Sequence, residues 1–199
     1  MKAAAGDPRE AKAALREEFR RRLRDLSSGE RDASSECIRR RCMVLPEWGR
    51  ARVLALYHPR PDEPDLWPLA SIAWAEGRQV VLPSHDPVRG AYRWRRVMGP
   101  GDLVSGKFGI PEPSSHCGEV LTPLLDLAFV PGLGFSEDGV RLGRGQGFYD
   151  RLLESFCGGS FGVAFDCQIV PRIPREDHDF RLNGVITPSG CRFAPTGAE

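Results

Sequence analysis

No apolar run in the 199 residues approaches the roughly 18 needed to cross a bilayer, so a transmembrane helix is excluded from the reading. The first residues, Met1 to Gly6, run into charges and lack the apolar core of a signal peptide, so a cytoplasmic protein is expected. Charge of one sign is also missing: 28 Lys and Arg stand against 27 Asp and Glu. A net charge of +1 gives no global field to draw in nucleic acid or an anionic membrane. Arg20-Arg21-Arg22 and Arg39-Arg40-Arg41 are interleaved with acids and read as solvated helix faces. The six cysteines include no Cys-x-x-Cys pair, which favours reduced thiols over a zinc site or disulfides. The four histidines include no His-Glu-x-x-His pattern, and no Ser-His-Asp or Cys-His set stands out.

What is present is the ordinary composition of a globular chain, 41% hydrophobic and 28% charged, with no internal repeat and no long linker. One domain over residues 1–199 is expected, with its core in about 8–193. Asp7, Pro8 and Glu10 predict a helix start, and Leu15, Phe19, Leu23 and Leu26 form its apolar stripe. Ser27-Ser28-Gly29-Glu30 predicts a capping box for a second helix running to about Met43. Short apolar runs at 53–57, 80–83, 125–130, 161–165 and 185–187 then alternate with helical stretches at 65–76 and 147–156. This pattern predicts a mainly parallel sheet with helices on both faces. Residues 84–124 read as irregular, with one strand near 92–97.

The most informative segment is Arg141-Leu142-Gly143-Arg144-Gly145-Gln146-Gly147-Phe148-Tyr149-Asp150. Alternate glycines bring backbone N–H groups close to an anion, and Arg141 and Arg144 add fixed charge. Asp150 can supply a hard oxygen for magnesium beside the phosphates. The spacing is neither a Walker loop nor the dinucleotide fingerprint. On the first helix, Lys12 falls on the line of Phe19 and Leu23, with Arg16 at the edge of that stripe. Either a polyphosphate answers their charge, or they snorkel at the rim of the core or pair with Glu17 or Asp residues.

Lys12-Ala13-Ala14-Leu15-Arg16 resembles the opening of the 5-formyltetrahydrofolate cyclo-ligases. Phe129-Val130-Pro131-Gly132-Leu133-Gly134-Phe135 and the stretch from Asp138 to Asp150 resemble that family's signature. Phe165-Asp166-Cys167-Gln168, His178-Asp179 and Val185-Ile186-Thr187 are similar too, most closely to the bacterial branch. The resemblance implies a three-layer α/β fold related to sugar-phosphate isomerases and CoA transferases. It implies ATP- and magnesium-dependent conversion of 5-formyltetrahydrofolate to 5,10-methenyltetrahydrofolate by a monomer with no nucleic-acid or membrane partner. Lys12, Arg16 and the loop Arg141, Leu142, Gly143, Arg144, Gly145, Gln146, Gly147, Phe148 and Tyr149 would bind ATP, with Lys12 and Arg144 catalytic. His58, Glu63, Arg144, Gly145, Gln146, Gly147 and Phe148 would face the folate. Asp150 and Asp179 would ligate magnesium. On its own, Glu63 would read as an exposed loop charge.

Gln146 departs from the Lys or Gly of many members, Asp65-Leu66 stands where a Thr is usual, and Phe148 replaces a frequent Tyr. The rival readings are a sugar-phosphate isomerase or CoA transferase of the related fold, and a non-catalytic folate- or nucleotide-binding relative.

Overall fold

The computed structural model describes residues 7–176 and 179–194. His178 and residues 1–6 therefore lie outside the described residues. Helix α1 (Pro8–Arg24) opens as its sequence predicts, with the Asp7 side chain accepting from Arg9 N at 2.9 Å and Pro8 in the first turn. Helix α2 (Ser28–Met43) has a complete capping box: Glu30 N donates to Ser27 Oγ and Ser27 N to Glu30 Oε2. Short α3 (Pro46–Arg50) leads into strand β1 (Val53–Ala55). Helix α4 (Pro68–Ala75) starts later than the sequence suggests. Asp65 Oδ1 accepts from Trp67 N instead, which makes a side-chain turn before Pro68.

Strands β2 (Gln79–Asp86) and β3 (Ala91–Val97) form an antiparallel hairpin. Strands β4 (Leu103–Ser105) and β5 (Pro111–Pro113) form another, and β6 (Glu119–Val120) pairs with β3. The expectation that 84–124 is irregular is therefore corrected. Strand β2 runs on to Asp86, and three further strands follow β3, all in antiparallel pairs that a search for buried parallel strands overlooks.

The remaining strands are β7 (Leu127–Pro131), β8 (Gly134–Ser136), β9 (Arg141–Leu142), β10 (Gly159–Val163), β11 (Ile169–Val170), β12 (Gly184–Ile186) and β13 (Cys191–Phe193). Helix α5 (Phe148–Leu152) covers only the first half of the expected 147–156 helix.

The main sheet has the order β13-β12-β10-β7-β1-β2-β3-β6, and the five central strands are parallel. Its side chains alternate between two cores. Leu54, Val80, Leu127, Phe129 and Phe161 join Phe19, Ile38, Trp48 and Leu69 from α1–α4. Ala55, Val81, Ala128, Val130 and Val185 face the other way, with Leu152 of α5, Leu153 and Phe156. The mixed α/β architecture is as expected, but four helices serve one core and a single short helix the other. Among the described residues, no helix is long and apolar enough to cross a membrane.

The chain leaves β1 toward β2 on one side and later returns to place β7 on its other side. Open sheets bind ligands in the crevice beyond the carboxyl ends of strands at such a reversal. The loops after β1 and β7 are the ones that meet there.

Candidate active site

The loop after β1 is folded back on itself. Tyr57 is buried and its hydroxyl donates to Pro64 O at 2.5 Å, while Arg60 N donates to Glu63 Oε2 at 3.1 Å. The Glu63 side chain is only 7% exposed. From the glycine-rich bend, Arg144 Nη2 reaches Asp62 at 2.8 and 2.9 Å and Glu63 Oε1 at 3.3 Å. Burial lifts the Glu63 carboxyl above its usual range against the lowering pull of Arg144, which it shares with Asp62. Burial likewise lowers the imidazole of His58, which packs against Trp67 with ring centroids 5.4 Å apart.

The bend itself follows β9, which pairs with β8 in a small three-stranded sheet, β11-β8-β9. Gly145 has φ +102° and Gly147 φ +61°, conformations that side-chain-bearing residues rarely adopt. A Cβ on Gly143 would come within 2.7 Å of Arg141 Nη1. Arg141 is buried and donates to Asp150 Oδ1 at 2.8 Å, so the guanidinium closes the bend on the first turn of α5.

Two cavities flank this bend. The larger, of about 330 Å³, lies at the crevice beyond β1 and β7. Tyr57, His58 and Glu63 come from the first loop, Pro131 and Gly132 from the end of β7, and Arg144, Gln146 and Phe148 from the bend. Tyr92, Phe108 and Glu112 close it from the two hairpins. The ring centroids of Tyr92 and Phe148 are 4.7 Å apart, and those of Phe108 and Phe148 6.3 Å. An aromatic-walled cleft with a buried carboxylate suits a flat, polar heterocycle.

The smaller cavity, of about 160 Å³, is lined by Lys12 and Arg16 of α1, Arg141, Gly143, Gly145 and Gly147 of the bend, and the acids Asp150, Glu176 and Asp179. Arg16 Nε donates to Gly143 O at 3.0 Å, which docks α1 against the bend. Lys12 Nζ lies 2.7 Å from both Glu176 Oε2 and Asp179 Oδ2. Burial works against its charge, but bonds to Asp179 and Glu176 outweigh burial and hold the ammonium above its ordinary range. Three cations and exposed backbone around a small polar space suit a polyphosphate.

The sequence model described as the 5-formyltetrahydrofolate cyclo-ligase family matches residues 8–188. The chain belongs to that family. It is 34% identical over 177 residues to the 5-formyltetrahydrofolate cyclo-ligase of Escherichia coli (strain K12), covering 86% of this chain and 97% of that protein. It is 28% identical over 190 residues to the Mus musculus cyclo-ligase, covering 88% and 93%. The solved structure of Aquifex aeolicus 5,10-methenyltetrahydrofolate synthetase superposes with a TM-score of 0.84 at 34% identity, covering 94% of this chain and 95% of that one. The Mycoplasma pneumoniae 5,10-methenyltetrahydrofolate synthetase, at 20% identity and a TM-score of 0.73, shares the fold.

Within this cyclo-ligase scaffold the sequence-predicted residues sort between the two cavities. Lys12, Arg16, Leu142, Gly145, Asp150 and Asp179 line the smaller; His58, Glu63, Arg144, Gln146, Phe148 and Tyr149 line the larger. Arg141, Gly143 and Gly147 line both. The counter-charge for Lys12 comes from Asp179 and Glu176 of the protein itself; Glu17 pairs with Arg20 instead. The reading of Glu63 as a plain exposed loop charge is corrected, because its side chain is almost wholly buried and pairs with Arg144. Tyr92, Phe108, Glu112 and Glu176 were missed. The one available signal was the glycine-bracketed Gly106-Lys107-Phe108-Gly109, whose Phe108 is the only non-glycine residue at positive φ (65°) among those described.

Among the described residues, no three His, Cys, Asp or Glu side chains cluster as a self-sufficient metal site. Asp150 and Asp179 are nevertheless hard oxygen donors on the wall of the smaller cavity, and magnesium is commonly held by one or two carboxylates together with substrate phosphates. The donor set fits that mode of binding.

Proposed function

We propose that the chain is a 5-formyltetrahydrofolate cyclo-ligase, converting 5-formyltetrahydrofolate and ATP into 5,10-methenyltetrahydrofolate, ADP and phosphate. The observation that carries this reading is the adjacency of the two cavities. A cationic recess for a triphosphate and an aromatic cleft for a pterin share the glycine-rich bend as a wall.

In this reading the formyl oxygen, a poor leaving group, first accepts the γ-phosphoryl group as ADP departs. N10 then adds to the formyl carbon and loses its proton. That addition closes the ring, and the carbon–oxygen bond then breaks as phosphate leaves to give the methenyl bridge. Such chemistry asks for alignment and charge neutralisation rather than a protein nucleophile. Lys12, Arg16 and Arg141 grip the phosphates, and the bend offers backbone N–H groups. Arg144 stands on the wall between phosphate and folate, where it can neutralise charge developing on the transferred group. Glu63 accepts from the N–H edge of the pterin, and His58 and Phe148 frame the ring. Asp150 and Asp179 would hold a magnesium ion, which would supply charge neutralisation for the phosphates. The reading extends to a single cytoplasmic domain acting as a monomer.

Purified protein mixed with 5-formyltetrahydrofolate, Mg²⁺ and ATP should generate the near-ultraviolet absorbance of the methenyl product. Omitting ATP should abolish it. Binding of both ligands without product would mark a non-catalytic relative and overturn the activity.

A further inference from the structure

We infer that Lys107, at the tip of the β4–β5 hairpin, is the receptor for the glutamate carboxylates of the folate. This inference deepens the folate reading above and rests on it. Lys107 is exposed and precedes Phe108, a residue of the cleft wall. Its ammonium stands 5.4 Å from the ring centre of Phe108 and 5.7 Å from that of Phe148, and both rings line the cleft. A folate lying in the cleft with its pterin toward Glu63 must send its p-aminobenzoyl-glutamate tail outward past these rings.

The charge of Lys107 is available for that tail. Its polar contact is the imidazole of His85, with Nζ 3.3 Å from Nε2. A carboxylate stands close by, since a Cβ on neighbouring Gly106 would fall 2.4 Å from Glu112 Cδ. Glu112 is nevertheless committed elsewhere: Oε2 accepts from His85 N at 2.7 Å and Oε1 from the Tyr92 hydroxyl at 3.2 Å. That carboxylate ties the two hairpins together and forms no ion pair with Lys107. The His85 ring is itself fixed edge-on to Tyr92, with centroids 5.4 Å apart. The scaffold therefore presents an exposed cation, backed by an imidazole, beside two aromatic rings of the cleft. A flexible anionic tail is the ligand chemistry it fits.

The test compares two substrates, 5-formyltetrahydrofolate and 5-formyltetrahydropteroyl amide, which keeps N10 and the aryl ring but carries no glutamate. Lys107→Ala should raise KM for the glutamate-bearing substrate roughly tenfold, as expected for losing a hydrogen bond to a charged group, with little change in kcat. The amide should show the same kcat/KM with wild type and variant, and Lys107→Arg should restore most of the lost affinity. Equal KM shifts on both substrates, or none on either, would overturn the inference while leaving the folate reading intact. A wild-type protein that converts neither substrate would overturn both.

Discussion

Lys12 and Asp179, 167 residues apart in the chain, meet at 2.7 Å. The pair ties α1 to the segment before β12, and Glu176 shares the same ammonium. In the proposed reading, an ATP phosphate entering the smaller cavity would draw Lys12 partly away from these carboxylates. Lys12→Met should therefore act twice. We expect KM for ATP to rise about a hundredfold, the usual scale for truncating one partner of a close charge pair. Stability should fall by about 2 kcal/mol, because the two acids lose a shared cation. Isothermal denaturation and ATP titration would show both effects.

Arg144 links the bend to the loop after β1 through Asp62 and Glu63. Arg144→Ala should lower kcat about 10²- to 10³-fold while the circular-dichroism spectrum stays native. Arg144→Lys should rescue poorly, since an ammonium cannot reproduce the planar guanidinium geometry.

Gly145 adopts φ +102° with the nearest Arg16 side-chain atoms 3.9 Å from an added Cβ. Gly145→Ala therefore meets strain rather than a clash, at a cost of about 1–3 kcal/mol. The bend should relax away from its present course, so loss of ATP affinity should accompany a modest drop in thermal midpoint. An unchanged KM for ATP would show that the conformation of the bend is unimportant.

Glu63 gives a pH test. Its folded-state pKa is raised above 4.5, chiefly by burial. Its contribution to stability is thus fully present below the unfolded value and declines as pH rises through the folded one. Glu63→Gln has no such titration. The stability of the variant relative to wild type should rise with pH from about 4 toward neutrality, measured by urea denaturation at a series of pH values. A difference that is constant with pH, or that falls, would contradict the assignment. The same variant should bind the folate more weakly.

Chelation of divalent metal should stop turnover, and added Mg²⁺ should restore it. Asp150→Asn should raise the Mg²⁺ concentration needed for half-maximal rate about tenfold or more. Because Asp150 also holds Arg141 at 2.8 Å, Arg141→Ala should share part of that defect.

The sequence made α1, α2 and the glycine bend legible because their signals are local. Asp7 and Ser27 cap within three residues, and Gly145 and Gly147 sit at positive φ. Lys12 stood out because a cation fell on an apolar stripe. Its protein partners could not be read, since Glu176 and Asp179 lie more than 160 residues away. The hairpins of 84–124 stayed hidden for another reason. Strand β3 is legible near 92–97, but Pro111 and Pro113 bracket β5, and β4 and β6 span only three and two residues, too short to show an apolar period. Glu63 looked solvated because Arg144, which pairs with it, lies 81 residues away in the chain.

The wall made by Arg141, Gly143 and Gly147 belongs to both chambers at once. In the proposed reading, nucleotide and folate would meet across it, and whichever arrived first would set the stance of the partition that the second must meet. Any factor by which ATP sharpens folate affinity must be returned, undiminished, by folate to ATP.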